Sequence, residues 1–313
     1  GLAVAVIENG EIQFAQGYGV TRVTDGEPVT DATVFRWASL SKGVASTVAG
    51  QLAHEGALSL SDTVNTFGTS LRLPGDGETR ATIENVLSHM VGIVPNAYDT
   101  MLEDGRDPAK IRTSLGKLKA TCPVGDCHTY QNVAFDAVSE IVEAAAGTSY
   151  AQAVDMRLFE PLGMITASFG RAALQSSKSW AAPHRRRGRG PLLRKTVNDA
   201  YYAVPAAGGA NGSIRDLAMF ARAQMGLAPD VLPEGILSDL HTPRVYTRRE
   251  QSGISRRYGG HMRDARYALG WRSYKYADTG ARVVGHRGAV EGYRSLILFD
   301  AERGAGVVAL WNS

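Results

Sequence analysis

The sequence predicts a mixed α/β (α+β) fold in which an antiparallel sheet is built from both chain termini, flanked by helices, with a mainly helical subdomain inserted in the middle. Three observations predict it. Residues 2–8 and 11–20 are apolar-rich runs joined at Asn9-Gly10, a strong hairpin signal. Four strand-like segments, 266–275, 280–286, 292–299 and 305–312, end the chain. Between them lie apolar residues at helical spacing and few strand-like runs. Strands at both ends with helices between place the sheet on residues 1–56 and 206–313 and the helical subdomain on 57–205, with an active site expected in the cleft between them.

Each element follows from local pattern. Residues 33–56 begin with a short extended run that Ser39 closes. Val44, Val48 and Leu52 then repeat at helical spacing until Gly56, a plausible stop. Leu58-Ser-Leu-Ser-Asp62 turns into the middle region, where Thr82 to His89 reads as a short capped helix. From Asn132, the residues Ala134, Val138, Ile141, Val142 and Ala145 mark a helix ending at Gly147, and Ser149 restarts one to about Phe159. Residues 170–200 are rich in Arg, Ser and Gly and read as a long surface excursion. Pro205 to Gly212 is a glycine-dense turn, and Ser213 to Met225 is helical with Asp216 in its first turns. Residues 241–265 show no pattern that converts into a shape.

Composition narrows the functional classes. With 313 residues, 44% hydrophobic and 21% charged, the chain can bury a sizeable core as one large domain or two packed ones. No apolar run approaches the roughly 18 residues of a membrane span, and the opening Gly-Leu-Ala-Val-Ala-Val reads as a strand rather than a leader. A net charge of +3, from 34 basic and 31 acidic residues, gives no case for nucleic acid. The basic run Arg185-Arg186-Arg187-Gly188-Arg189 is glycine-broken, without interleaved aromatics, and reads as a solvated loop. Seven histidines contain no His-x-x-x-His pair and the two cysteines make no Cys-x-x-Cys, so no metal site is expected. Cys122 and Cys127 can be bridged or free.

The chemistry centres on Ser39-Leu-Ser-Lys42. A serine at a helix N-terminus faces unpaired backbone N–H groups and the positive end of the dipole, which favour a developing oxyanion. Lys42, three residues on, shares its helical face. Desolvation favours the neutral form of an amine, which can then take the serine proton. This is the Ser-x-x-Lys pattern of serine β-lactamases and penicillin-binding proteins. A second copy, Ser114-Leu-Gly-Lys117, lies in lysine-rich surroundings with a glycine inside it and reads as a solvated helix or loop.

Two partners accompany the first copy. Tyr130-Gln131-Asn132 is the single Tyr-x-Asn of the chain and precedes a helix. A phenol beside an ammonium has its phenolate favoured, so Tyr130 suits a base or proton shuttle. The Asn132 amide suits holding Lys42 and a substrate carbonyl. His286-Arg287-Gly288 ends a strand-like run: Gly288 allows close approach of an acyl group, the Ala289 N–H can pair with that of Ser39 as an oxyanion hole, and His286 can relay protons. His54-Glu55-Gly56 matches the same tripeptide pattern at a helix end.

Taken in order, these motifs resemble the class C β-lactamase family, which includes DD-peptidases, D-aminopeptidases and β-lactamase-like esterases. Gly1-Leu-Ala-Val-Ala-Val, Leu87-Ser-His-Met-Val-Gly92, Pro161-Leu-Gly-Met164, Ala207-Gly-Gly209 with Asp216-Leu217, and Tyr267-Ala-Leu-Gly-Trp271 extend the resemblance nearly end to end. It implies Ser39 as nucleophile, Lys42 and Tyr130 as the general-base pair, Asn132 as a positioning residue, His286 on the third motif, and the Ser39 and Ala289 amides as the oxyanion hole. It implies a serine hydrolase that takes a small-molecule or short-peptide acyl donor (amide, β-lactam or ester) without a cofactor. The family's frequent export suggests a periplasmic or secreted protein, with the cytoplasm as the alternative. The third motif departs from the Lys-Thr-Gly usual in β-lactamases, and His286 there resembles the peptidase and esterase branches. Arg287 replaces a hydroxyl that family members use toward a substrate carboxylate, and a guanidinium turned inward can grip one bidentately. A carboxylesterase of the same fold and a penicillin-binding sensor that acylates without turnover are the alternatives.

Overall fold

The computed structural model, which describes residues 1–186 and 188–313, is a mixed α/β structure with a large antiparallel sheet and helices. Arg187 of the basic run lies outside the described residues. The chain divides into two compact units: Gly1–Ser41, Val154–Glu234 and Gly285–Ser313 form the first, Lys42–Ala153 and Gly235–Val284 the second.

Along the chain, β1 (Leu2–Glu8) and β2 (Glu11–Tyr18) precede β3 (Phe35–Arg36), a 3-10 turn over Ala38–Leu40 and α1 (Ser41–His54). Then come α2 (Ile83–Leu87), α3 (Asp99–Glu103), α4 (Pro108–Ser114), α5 (Ala137–Ala146) and α6 (Tyr150–Val154), which runs into a π-helical turn over Asp155–Phe159. They are followed by β4 (Ser168–Phe169), α7 (Arg171–Ser176), β5 (His184–Arg186), β6 (Leu192–Arg194), α8 (Pro205–Gly208), β7 (Ala210–Gly212) and α9 (Ile214–Gln224). The last elements are α10 (Glu234–His241), β8 (Val245–Tyr246), α11 (Arg248–Tyr258), β9 (Met262–Tyr267), β10 (Arg272–Tyr276), β11 (Arg282–Val290), β12 (Tyr293–Asp300) and β13 (Ala305–Trp311).

In the first unit, strands pair antiparallel in the order β2-β1-β13-β12-β11. The β1–β2 hairpin turns at Asn9 and Gly10, both at positive φ, the geometry that the Asn-Gly pair adopts at low cost. Alternation along β1 buries Ala3, Ala5 and Ile7 on one face, where α9 packs against β1 and β13. α9 starts with a reciprocal cap: the Ser213 hydroxyl accepts from the Asp216 N–H, and the Asp216 carboxylate accepts from the Ser213 N–H. A small sheet, β3-β7-β4, stands beside the Ala38–Leu40 turn.

The second unit is built on α1, which is buried along almost its whole length from Ser41 to Leu52. The predicted stripe of Val44, Val48 and Leu52 is therefore only part of its buried surface. Its polar residues turn back on the helix, Ser46 and Thr47 both donating to the Gly43 carbonyl at 3.1 and 2.7 Å. α2 is held by a capping box between Thr82 and Asn85, and α5 ends at Gly147 with φ 68°. A buried ion cluster fastens α4 to α5: Arg112 donates to Asp136 at 2.8 Å, to Glu140 at 2.7 Å and to Ser70 Oγ at 2.7 Å. β10, β9 and β8 pair antiparallel.

Two expectations are corrected. The single strand foreseen at 266–275 is two strands, β9 and β10, because Gly270 at φ 76° reverses the chain between them. The 170–200 segment is not merely a surface excursion. It contains α7 and the β5–β6 pair, and Ala181, Ala182 and His184 are buried. Cys122 and Cys127 form a disulfide. The second Ser-x-x-Lys copy ends α4 and forms an outlying turn with Lys117 exposed.

Candidate active site

In the first unit the Ser39 backbone is fixed by an unusual density of contacts. Ala38, a non-glycine residue, sits at φ 50°, a conformation costing on the order of 1 kcal/mol or more. Its neighbours over-determine it. The Trp37 N–H donates to Ala210 O at 2.9 Å, and the Trp37 carbonyl accepts from Ser295 Oγ at 2.6 Å. The Ala38 carbonyl accepts from Ser41 Oγ at 2.7 Å, and the same hydroxyl accepts from the Ala210 N–H at 3.0 Å. The Trp37 indole donates to Gly212 O at 3.1 Å. Ser39 is thus carried, half-buried, on a rigid 3-10 turn that leads straight into α1, rather than at the first residue of the helix itself.

β11 runs against this turn. A Cβ at Gly288 would collide with Ser295 Oγ and the Trp37 carbonyl and would lie 3.1 Å from Ala38 Cβ, so only glycine lets the strand come so close. Along β11 His286 is buried, Arg287 half-exposed, Gly288 buried and Ala289 exposed. His286 Nδ1 lies 2.9 Å from the Arg287 carbonyl. A carbonyl only accepts, so Nδ1 carries the proton, and a neutral ring presents its lone pair at Nε2.

The second unit brings Lys42, Tyr130 and Asn132 together. Lys42 is fully buried, and its Nζ donates to Asn132 Oδ1 at 2.8 Å. Nζ stands 4.8 Å from the centre of the Tyr130 ring and 5.3 Å from that of Phe135, so aromatic faces complete its surroundings. Asn132 Nδ2 in turn donates to Asp99 Oδ2 at 2.7 Å, which fixes the amide orientation and makes an Asp99–Asn132–Lys42 chain. Two glycines let this end of α1 be buried. A Cβ at Gly43 would meet the Trp271 ring at 2.6 Å, and one at Gly270 would meet the Lys42 carbonyl at 2.6 Å.

The residues that sequence reasoning did not single out lie around Tyr130. His89 packs against it at a tilt of 45°, with ring centres 4.3 Å apart. His89 Nδ1 accepts the Gln131 N–H at 3.2 Å, so the ring proton is on Nε2, which donates to Tyr267 Oη at 3.1 Å. The Arg272 guanidinium lies 5.5 Å from the Tyr130 ring centre and pairs with Glu250 at 2.9 Å. Burial alone would pull Arg272 down, but the Tyr274 and Glu250 side chains outweigh it and hold the guanidinium above its ordinary value. Burial raises the Tyr267 hydroxyl well above the usual phenol range. His89 and Tyr267 fall within segments that carried the family resemblance, whereas Arg272 and Glu250 gave no signal. Among the described residues, no group of three or more His, Cys, Asp or Glu could hold a metal ion.

The sequence profile of the β-lactamase family matches residues 1–313, the whole chain. The chain belongs to the β-lactamase family. It is 25% identical over 323 residues to an unguisins hydrolase of Aspergillus campestris, covering 100% of this chain and 58% of that protein. The chain therefore spans rather less than two thirds of the length of that curated relative. Among solved structures, the octameric penicillin-binding protein homologue from Pyrococcus abyssi superposes with a TM-score of 0.87 at 24% identity, over 100% of this chain and 69% of that one. A class C β-lactamase mutant superposes at 0.79 with 22% identity, over 100% and 87%. These likenesses establish the serine β-lactamase and penicillin-binding-protein fold for this family member.

Proposed function

We propose that this β-lactamase-family chain is a serine hydrolase that works through an acyl-enzyme. The observation that carries the reading is the buried Lys42 amine, held by Asn132 at 2.8 Å beside the Tyr130 ring and three residues after a serine on a strained turn. Ser39 Oγ attacks the acyl carbonyl while its proton passes to the Lys42–Tyr130 pair. The N–H groups of Ser39 and Ala289 receive the oxyanion. The C–X bond then breaks, the pair returns the proton to the leaving atom X, and water releases the acyl group by the reverse sequence. His286 is proposed as a further proton relay and Arg287 as a contact for the substrate's polar end.

The acyl donor is an amide, a β-lactam or an ester. The His-Arg-Gly third motif, in place of Lys-Thr-Gly, favours the peptidase and esterase branches over efficient β-lactam hydrolysis. The Cys122–Cys127 disulfide supports an oxidising, extracytoplasmic location. Replacing Ser39 by Ala should lower turnover of a short-chain p-nitrophenyl ester or a D-peptide amide by about 10⁴-fold or more, with the fold intact by circular dichroism. Turnover unchanged in Ser39→Ala contradicts the reading.

A further inference from the structure

Positive charge is concentrated in residues 184–195 of the first unit. The segment holds Arg185, Arg186, Arg187, Arg189, Arg194 and Lys195 and no acidic residue, whereas the whole chain has a net charge of only +3, so the remainder is net negative. The run expected as a solvated loop lies on the β5–β6 hairpin, and the base of that hairpin is fixed. The His184 N–H donates to the Asn312 carbonyl at 3.1 Å, the His184 ring accepts from the Val23 N–H at 3.1 Å, and the Lys195 N–H donates to the Pro183 carbonyl at 2.8 Å. Strand pairing then sets the faces. Arg185 stands opposite Leu193, and Arg186 opposite Leu192. Arg185 and Lys195 both reach Glu291, at 4.0 and 3.6 Å, and Leu193 on the same face is 55% exposed. Arg186, Arg189 and Arg194 are exposed and, among the described residues, pair with no carboxylate.

We infer that the β5–β6 hairpin is a docking surface for an anionic lipid bilayer. Like charges crowded on a short hairpin repel one another, and the single carboxylate of Glu291 offsets only part of them. A surface of opposite charge relieves the rest. Clusters of roughly four to eight Lys and Arg are drawn to the negative face of a bilayer, each cation adding to the affinity. The exposed leucine distinguishes lipid from other polyanions. Between two cations, Leu193 gains by entering the boundary between headgroups and acyl chains, and it gains little beside an acidic peptide or a sugar-phosphate backbone. The segment also contains no Phe, Tyr or Trp on which a nucleobase could stack. None of this depends on which acyl donor the chain takes.

Co-sedimentation of the full chain with vesicles tests the inference. Partition onto vesicles of phosphatidylcholine with roughly 30% phosphatidylglycerol should exceed that onto phosphatidylcholine alone by about tenfold or more, and should shrink as salt is added. Arg186→Gln/Arg189→Gln/Arg194→Gln changes only exposed side chains without a carboxylate partner, so its urea midpoint should match the wild type. It should lose about tenfold or more of the partition onto the anionic vesicles. Leu193→Ser, which keeps every charge, should lose about threefold or more. Equal partition onto both vesicles, no partition onto either, or wild-type partition in either variant overturns the inference. Tighter binding of polyglutamate or of duplex DNA than of the anionic vesicles overturns it as well, by assigning the hairpin to a different polyanion.

Discussion

Asn132 makes two hydrogen bonds of opposite sense, accepting from Lys42 and donating to Asp99. A single amide thereby holds the buried amine and is itself held by a carboxylate. Replacement by leucine removes both bonds and leaves Lys42 and Asp99 without this partner, a cost of several kcal/mol at a buried charge. Asn132→Leu should lower kcat by about 10²-fold or more, with KM changed far less, measured on any ester the chain turns over. An unchanged kcat would show that the amide does not position the base. Lys42, Tyr130 and Asn132 were legible in the sequence because each lies in a short motif whose residue types carry chemistry. Arg272 and Glu250 were not, because an arginine after a tryptophan and a glutamate in an arginine-rich helix look like surface charges until β10 and α11 bring them together at 2.9 Å.

At the scale of elements, the hairpin at Asn9-Gly10, the boxes that begin α2 and α9 and the stop of α5 at Gly147 follow from local signals, and the structure places them where those signals lie. What local signals could not give is the reversal at Gly270. A lone glycine in an apolar run reads equally as a weak point in a strand, and only the close approach of the Lys42 carbonyl shows why it is required. The α11 segment was illegible for a different reason: it is a strongly polar helix with very few apolar residues to mark a face. Gly288 makes an element-level prediction. A methyl group there must displace Ser295 Oγ and the Trp37 carbonyl, shifting β11 away from the Ala38–Leu40 turn. Gly288→Ala should destabilise the fold by about 2 kcal/mol and lower kcat/KM by at least tenfold, measured by urea unfolding and ester hydrolysis. Wild-type values for both would show that the strand has room to spare.

Over the whole molecule, stability should fall on the acid side of neutrality for an identifiable reason. Burial depresses both His241 and His128 to about 4 from an ordinary 6.5, Arg272 adding to the effect at His128. At pH 7 the folded rings are neutral and the unfolded ones mostly so. As pH drops through 6.5 the unfolded chain takes up protons that the folded chain refuses until about 4, so stability is lost across that window, by about 2 kcal/mol for each ring at pH 5 and about 3 kcal/mol over the whole of it. Urea midpoints taken at pH 7 and pH 5 should fall accordingly, and His241→Leu should reduce the drop. The same drop in that variant would contradict the assignment. The family relationship spans the full 313 residues, so fold and nucleophile are tested on one chain. The central claim is that Ser39 is the acylated residue, and intact-protein mass spectrometry after treatment with a fluorophosphonate tests it most directly. The account predicts a single covalent adduct, mapped by peptide fragmentation to Ser39 and absent from Ser39→Ala. An adduct that persists in Ser39→Ala, or no adduct on the wild-type chain, would contradict it.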